Sequence, residues 1–186
     1  ADQIFRYQLP IRIFTIDTGR LFHETQELHQ RVLTKYRQKI ETFTPHQASI
    51  EELITAKGPL SFYESLDNRL ECCKIRKVSP LSRALQAAEL WITGLRKGQS
   101  TYRKQFDLVE WNERHQVIKV NPLIGWNPQA VEAYLARHKV PVNSLHQKGY
   151  ASVGCAPCTR AIQPGEDERA GRWWWENSHK ECGLHI

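Results

Sequence analysis

Methionine is absent from all 186 residues, position 1 included, so the chain is expected to be processed or to belong to a longer one. No apolar run approaches the ~18 residues that a membrane-spanning helix needs, and no apolar leader opens the chain. Cysteine is scarce and odd in number: Cys72, Cys73, Cys155, Cys158 and Cys182. Five cysteines without a secretory leader speak against a disulfide framework and for metal binding or a reactive thiol. No repeat or low-complexity tract occurs. What remains is an ordinary folded composition, 40% hydrophobic and 25% charged, with a mean hydropathy of −0.56. This length suits about one domain with a real core. Lys and Arg exceed Asp and Glu by 26 − 20 = +6, which asks for an anionic partner without naming it.

Residues 11–16 read as a β-branched strand that ends in the turn Asp17-Thr18-Gly19. Leu21, Thr25, Leu28, Val32 and Tyr36 then recur at helical spacing, and a second strand is expected over 39–43. Strand, helix, strand is the alternation of a parallel α/β sheet. A helix is expected over 49–56, with Ser49 as its cap and Glu52 three residues on. Another is expected from Cys73 to about Ala88, provided a kink or helix start falls at Pro80. Residues 89–94 read as a buried strand, and 106–111 with 116–120 as a hairpin. Asn127-Pro128 caps a last helix over 129–138. Beyond about Val140 the periodicity fails, and 149–171 reads as irregular.

Cys155-Ala156-Pro157-Cys158 is a C-x-x-C pair, open to a redox dithiol, half a zinc site or half a cluster site. Adjacent Cys72-Cys73 is the more unusual feature. Neighbouring Cα atoms lie ~3.8 Å apart, against the ~5.5 Å of an ordinary disulfide. A structural zinc favours paired C-x2–4-C ligands. Two adjacent thiolates and a distant C-x-x-C suit the larger body of a four-iron cubane, while buried free thiols remain the plain alternative. Lys74, Arg76, Lys77 and Arg83 follow the pair, with no acid from Cys72 to Ala88; such a run suits an anionic cluster, and equally a solvated helix face. Cys182 is left over near the end, where a mobile, accessible thiolate could act as a nucleophile, with His185 close enough in sequence to tune it.

A basic loop, Thr93-Gly94-Leu95-Arg96-Lys97-Gly98, follows a predicted strand, the place where open α/β sheets bind ligands. Arginines there suit phosphate or sulfate. Arg169 and Arg172 precede Trp173-Trp174-Trp175. Basic residues beside aromatics can mark single-stranded nucleic acid, but consecutive tryptophans more commonly anchor an irregular segment to its domain.

Together these pieces resemble the bacterial assimilatory adenylyl-sulfate (APS) reductases, thioredoxin-dependent members of the APS/PAPS reductase family, over essentially the whole chain. The resemblance rests on Asp17-Thr18-Gly19-Arg20, Cys72-Cys73 with Ile75-Arg76-Lys77, Thr93-Gly94-Leu95-Arg96, Gly154-Cys155-Ala156-Pro157-Cys158-Thr159-Arg160, Gly171-Arg172-Trp173-Trp174-Trp175 and Glu181-Cys182-Gly183-Leu184-His185. It implies an open, mainly parallel twisted α/β sheet with flanking helices, adenine nucleotide alpha hydrolase-like, and an irregular C-terminal segment with a mobile tail. Residues 1–140 would form the nucleotide-binding reductase domain, and 141–186 an irregular part of that same domain. It implies reduction of APS to sulfite and AMP through an S-sulfocysteine on Cys182. Lys77, Arg96, Arg169, Arg172, Asp17, Thr18, Gly19 and His185 would bind substrate, and Cys72, Cys73, Cys155 and Cys158 would ligate a [4Fe–4S] cluster. Thioredoxin would be the partner in the cytoplasm, with no nucleic acid and no membrane; a homo-oligomer is compatible with it. The family's first strand and Ser-Gly-Gly-type phosphate loop are expected upstream of Ala1. The alternatives are a PAPS or dual-substrate reductase, a cluster-bearing tRNA-thiolating enzyme, and a zinc- or cluster-stabilised nucleic-acid-binding module.

Overall fold

The computed structural model describes residues 1–177 and 181–185. A short helix α1 (Asp2–Arg6) precedes strand β1 (Phe14–Ile16). The strand begins three residues later than expected, because the Ile11 amide donates to the Leu9 carbonyl at 2.7 Å in a tight turn. Helix α2 (His23–Tyr36) carries the chain to β2 (Glu41–Phe43), which pairs in parallel with β1.

Helix α3 (Gln47–Lys57) corrects one expectation. It begins after an extended His46 that makes no side-chain cap, so Ser49 lies inside the helix. Gly58, at φ +84, ends it. The cysteine-bearing rod differs more. Helix α4 (Leu66–Cys73) starts at Ser65, whose hydroxyl accepts from the Asn68 amide at 3.1 Å. It runs through Cys72 and Cys73 into a π-helical turn, Lys74–Val78, and then α5 (Ser79–Ala84). The cysteines therefore end α4, and the helix expected after Cys73 continues through the π turn into α5. Pro80 sits at the first turn of α5, where its missing amide costs least. The rod stops at Ala84, before the expected Ala88, and Ala87 adopts a positive φ of 61°.

Strand β3 (Leu90–Ile92) pairs in parallel with β5 (Val117–Val120), which also pairs antiparallel with β4 (Val109–Asn112), giving the order β3-β5-β4. The sheet does not follow the simple apolar-inward rule. Of β3 only Trp91 is buried, while Leu90 and Ile92 are 49% and 37% exposed, so the expectation of a buried strand fails. Val109, Trp111 and Ile118 share that outer face, and Trp91, Glu110, Asn112, Val117 and Lys119 turn inward. Inward polar side chains in a small sheet need partners, and these find them in the functional site.

Helix α6 (Pro128–Arg137) starts as expected, with Asn127 Oδ1 accepting from the Ala130 amide at 2.7 Å. The segment after it is irregular but well tied. Cys155 bridges to Leu21, the Ala156 amide donates to the Arg20 carbonyl at 2.8 Å, and Thr159 bridges to Arg172. One core cluster contains Leu53, Phe62, Trp173 and all five cysteines; a second contains Leu81, Leu85, Trp91 and Val117, and Leu184 packs against both. Among the described residues no helix is long and apolar enough to cross a membrane.

Candidate functional site

Three segments distant in sequence converge on the cysteine cluster. Cys72 and Cys73 come from the end of α4, Cys155 and Cys158 from the irregular segment, and Cys182 from the last residues. All five are buried and none is in a disulfide. The Cys155 thiol is in hydrogen-bond contact with Thr18 Oγ1 at 3.3 Å, which joins the turn after β1 to the C-x-x-C pair. Cys182 was expected to be accessible; in this conformation it is 8% exposed and packed with the other four.

Cations surround these thiols. Arg76 and Lys77 follow Cys72 and Cys73 by four residues each, near one helical turn. Arg76 hydrogen-bonds the Cys72 sulfur and donates through Nη1 to the Thr18 carbonyl at 2.7 Å. Burial pushes the Cys73 thiol up to about 11 and, with the charge of Cys155, Cys158 up to about 12. Burial would also raise Cys155, but Lys77, the Thr18 contact and Arg172 outweigh it and hold that thiol below its ordinary value. For Lys77, burial is outweighed by Cys182, Cys155 and Cys73, so this buried ammonium keeps its proton more tightly than an ordinary lysine.

Trp173 organises the same cations. Its indole is 0% exposed, and Arg172, Arg69 and Lys77 lie 4.4, 4.6 and 5.6 Å from the ring. Such contacts strengthen when water is excluded. The Arg172 guanidinium also occupies the space that a Cβ on Gly154 would need. Trp174 is partly exposed and Trp175 packs on Tyr63 with ring centroids 4.4 Å apart, so the three tryptophans face different surroundings.

The remaining candidates divide. Asp17 Oδ1 accepts from the Gly19 amide at 2.8 Å, so this carboxylate shapes its own turn. Gly19, at φ +68, lies against Arg76, where a Cβ would meet Nη1 at 3.4 Å. Arg96 pairs with Glu168 at 3.2 Å, and its buried Nη1 has no partner among the described residues. Arg169 pairs with Glu181 at 3.3 Å, and burial pushes its guanidinium down to about 10. His185 stacks on Trp91, with centroids 5.5 Å apart and planes at 13°. Part of the residue is open to solvent, but its Nδ1 is sealed without a partner. Burial, with Arg103, Lys119 and Arg169 nearby, brings the imidazole down to about 3, so it is neutral at pH 7.

Arg69, Arg103, Glu181 and Lys119 escaped the reading of candidate residues. Arg69 was detectable, since it precedes Cys72 and Cys73 by three and four residues on α4. Lys119 had no such signal: it is 1% exposed, pairs with Glu110 at 2.7 Å and donates to the His185 carbonyl at 3.4 Å.

The cysteine set can be tested against a metal group. Among the described residues no three His, Cys, Asp or Glu side chains converge closely enough to hold one metal ion. Cys72, Cys73, Cys155 and Cys158 are the side chains that could hold a metal group: four buried thiols outside any disulfide, with Arg76, Lys77 and Arg172 beside them. The Nε atoms of Arg76 and Arg172 are buried without a partner among the described residues.

Residues 3–161 match the model of the phosphoadenosine phosphosulfate reductase domain. An adenosine 5′-phosphosulfate reductase of Allochromatium vinosum is 50% identical over 186 residues, covering 100% of this chain and 73% of that protein. One from Rhizobium tropici is 51% identical over 172 residues, covering 92% of this chain and 96% of its own. The crystal structure of a phosphoadenylyl-sulfate (PAPS) reductase from Candida auris, a phosphate complex, superposes with a TM-score of 0.70 at 30% identity, covering 87% of this chain and 75% of that one. The mixed α/β architecture with parallel strand pairs and flanking helices is therefore shared. With its family model matched over most of the chain and relatives about 50% identical aligned over nearly all of it, this chain belongs to the phosphoadenosine phosphosulfate reductase domain family.

Proposed function

We propose that this chain is an oxidoreductase that converts adenylyl sulfate to sulfite and AMP, with Cys182 as nucleophile and thioredoxin as reductant. The observation that carries the proposal is the meeting of Cys182 with Lys77 and four further thiols in one buried cluster, beside Arg169 and Arg172. The substrate's sulfonyl group is already anionic, so a thiolate approaches it only where fixed cations offset the repulsion. Lys77, Arg172, Arg169 and Arg96 supply those charges. The Cys182 thiolate attacks the sulfonyl sulfur, forming a sulfur–sulfur bond as the bond from sulfur to the phosphate oxygen breaks. AMP leaves with that electron pair. A thioredoxin thiolate then attacks the Cys182 sulfur of the S-sulfocysteine and displaces sulfite. The second thioredoxin thiol closes a disulfide and returns Cys182 as a thiolate, so the dithiol supplies the two electrons that reduce the sulfur.

Cys72, Cys73, Cys155 and Cys158 would hold a [4Fe–4S] group. When bound, it supplies a compact anionic charge and a rigid tie between the end of α4 and the irregular segment. Arg76, Lys77 and Arg172 would offset that charge, and Trp173 would keep two of those cations in place. Free thiols and a dithiol reductant fit a reducing compartment such as the cytoplasm. The inward direction of Arg69, Arg76, Lys77, Arg103, Arg169 and Arg172 favours small anions over a nucleic-acid surface. The ties of 155–172 to the β1 turn and to Trp173 support reading 141–186 as part of the same domain.

The test is sulfite release from APS and from PAPS with reduced thioredoxin. Release from APS supports the proposal, preference for PAPS moves the chain to the related activity, and no release from either removes the reaction.

A further inference from the structure

Glu181 raises an electrostatic question. A carboxylate beside a nucleophile that must approach an anion repels the substrate, and Glu181 is the one acidic residue among the described tail residues 181–185. Its surroundings supply the answer. Arg103 donates to its carboxylate through Nε at 2.9 Å and through Nη2 at 3.3 Å, and Arg169 Nη2 lies 3.3 Å from Oε2. Arg69 Nη1 donates to its backbone carbonyl at 2.7 Å. One buried residue thus ties α4, the turn after the basic loop and the irregular segment to the position next to Cys182.

We propose that Glu181 is the positioning residue of the nucleophile: its clasp by Arg103 and Arg169 holds Cys182 against the cationic site and opens for the reductant. The proposal rests on the reading of Cys182 as nucleophile. The hydrogen bonds to the rest of the tail are single ones. Arg114 donates to the Gly183 carbonyl at 2.9 Å, and Lys119 to the His185 carbonyl at 3.4 Å. Each donates a single bond to a neutral carbonyl, whereas the carboxylate takes a two-pronged, charge-assisted contact whose geometry fixes direction as well as distance. The clasp also neutralises Glu181, so the repulsion is not felt while the tail is docked. It must also open, because a protein dithiol cannot reach the sulfur of a residue that is 8% exposed.

The experiment compares the full chain, prepared with its metal content intact, with Glu181→Gln, Glu181→Asp and Arg103→Gln. Iodoacetamide labelling of Cys182, located by peptide mass mapping, reads the docked fraction without using the substrate. Glu181→Gln keeps the shape and removes the charge, and breaking one side of a buried pair shifts such equilibria by roughly tenfold or more. The expected result is at least about tenfold faster labelling, with single-turnover adduct formation slowed by a similar factor and AMP affinity within about twofold of the parent. Glu181→Asp, which keeps the charge at shorter reach, should fall between the two. If Glu181→Gln does not fold, Arg103→Gln opens the same clasp from the other side and should show the same separation.

Labelling at the parental rate, or AMP affinity lost in step with adduct formation, overturns the proposal. If labelling responds as expected but the parent forms no adduct with APS, the clasp stands and the reaction assignment falls.

Discussion

The guanidinium of Arg172 lies across Gly154, in space that any side chain at that position would take. The pair forms a built contact: Arg172 also rests on the fully buried Trp173 ring at 4.4 Å. A Cβ at Gly154 meets the far end of a long side chain, so the fold can accept it while the charge moves. Gly154→Ala should therefore melt near the parental temperature and bind substrate more weakly. Loss of one charge-assisted hydrogen bond of ~1.5–3 kcal/mol corresponds to roughly 10- to 100-fold in KM. Steady-state kinetics beside thermal denaturation checks the separation; a large fall in Tm with KM unchanged would refute it.

Thiol chemistry should divide between Cys182 and the other four. Cys182→Ser is expected to lose sulfite release while keeping the iron content and the visible sulfur-to-iron absorption. Cys155→Ser should lose both, because that thiol is locked to Thr18 and held below its ordinary pKa by Lys77 and Arg172. Iron analysis and visible spectra of anaerobically purified protein decide this. Loss of the chromophore in Cys182→Ser would sink the division of labour.

Trp173 serves as a platform as well as core packing. Trp173→Phe keeps an aromatic face, whereas Trp173→Leu removes it and leaves Arg69, Arg172 and Lys77 without the ring they rest on. Desolvated cation–π contacts are worth about 2 kcal/mol, so the Leu variant should be less stable than the Phe variant by about that amount in urea denaturation. Equal stability would show that volume alone matters.

The neutral state of His185 makes tail docking sensitive to acid. Its imidazole stands at about 3 in the docked tail, against an ordinary ~6.5 when released. Between those values the released form binds one more proton. Docking is therefore fully supported above pH ~6.5 and weakens by up to about tenfold per pH unit below it. Hydrogen-exchange protection of residues 181–185, corrected for intrinsic rates and compared at pH 7 and pH 5, should show the loss. His185→Phe, which keeps a ring on Trp91 without the titration, should abolish the difference.

Local chemistry explains which elements were legible. Asn127-Pro128 announced α6 because the Asn side chain itself makes the cap. The Ser49 reading misplaced α3 because His46 starts that helix without a side-chain bond, leaving no local signature. The helical run after Cys73 follows the expectation as far as Ala84, with a helix start at Pro80, whereas α4 before the cysteines, capped by Ser65, went unread.

The sequence alone determined the kinds of groups available: five thiols of distinct spacing, a tight Asp-Thr-Gly turn, two basic segments and a cysteine beside the chain end. Those are properties of short stretches, where neighbours along the chain decide conformation and reactivity. Tertiary structure alone decided their directions. It buried Cys182, turned Lys119 and Glu110 inward while Leu90 and Trp111 face outward, and closed Arg103 and Arg169 on Glu181. Arg103 and Glu181 are 78 residues apart, and no periodicity links them. Only packing brings such groups together, because burying a charge is tolerable only where the fold places its partner.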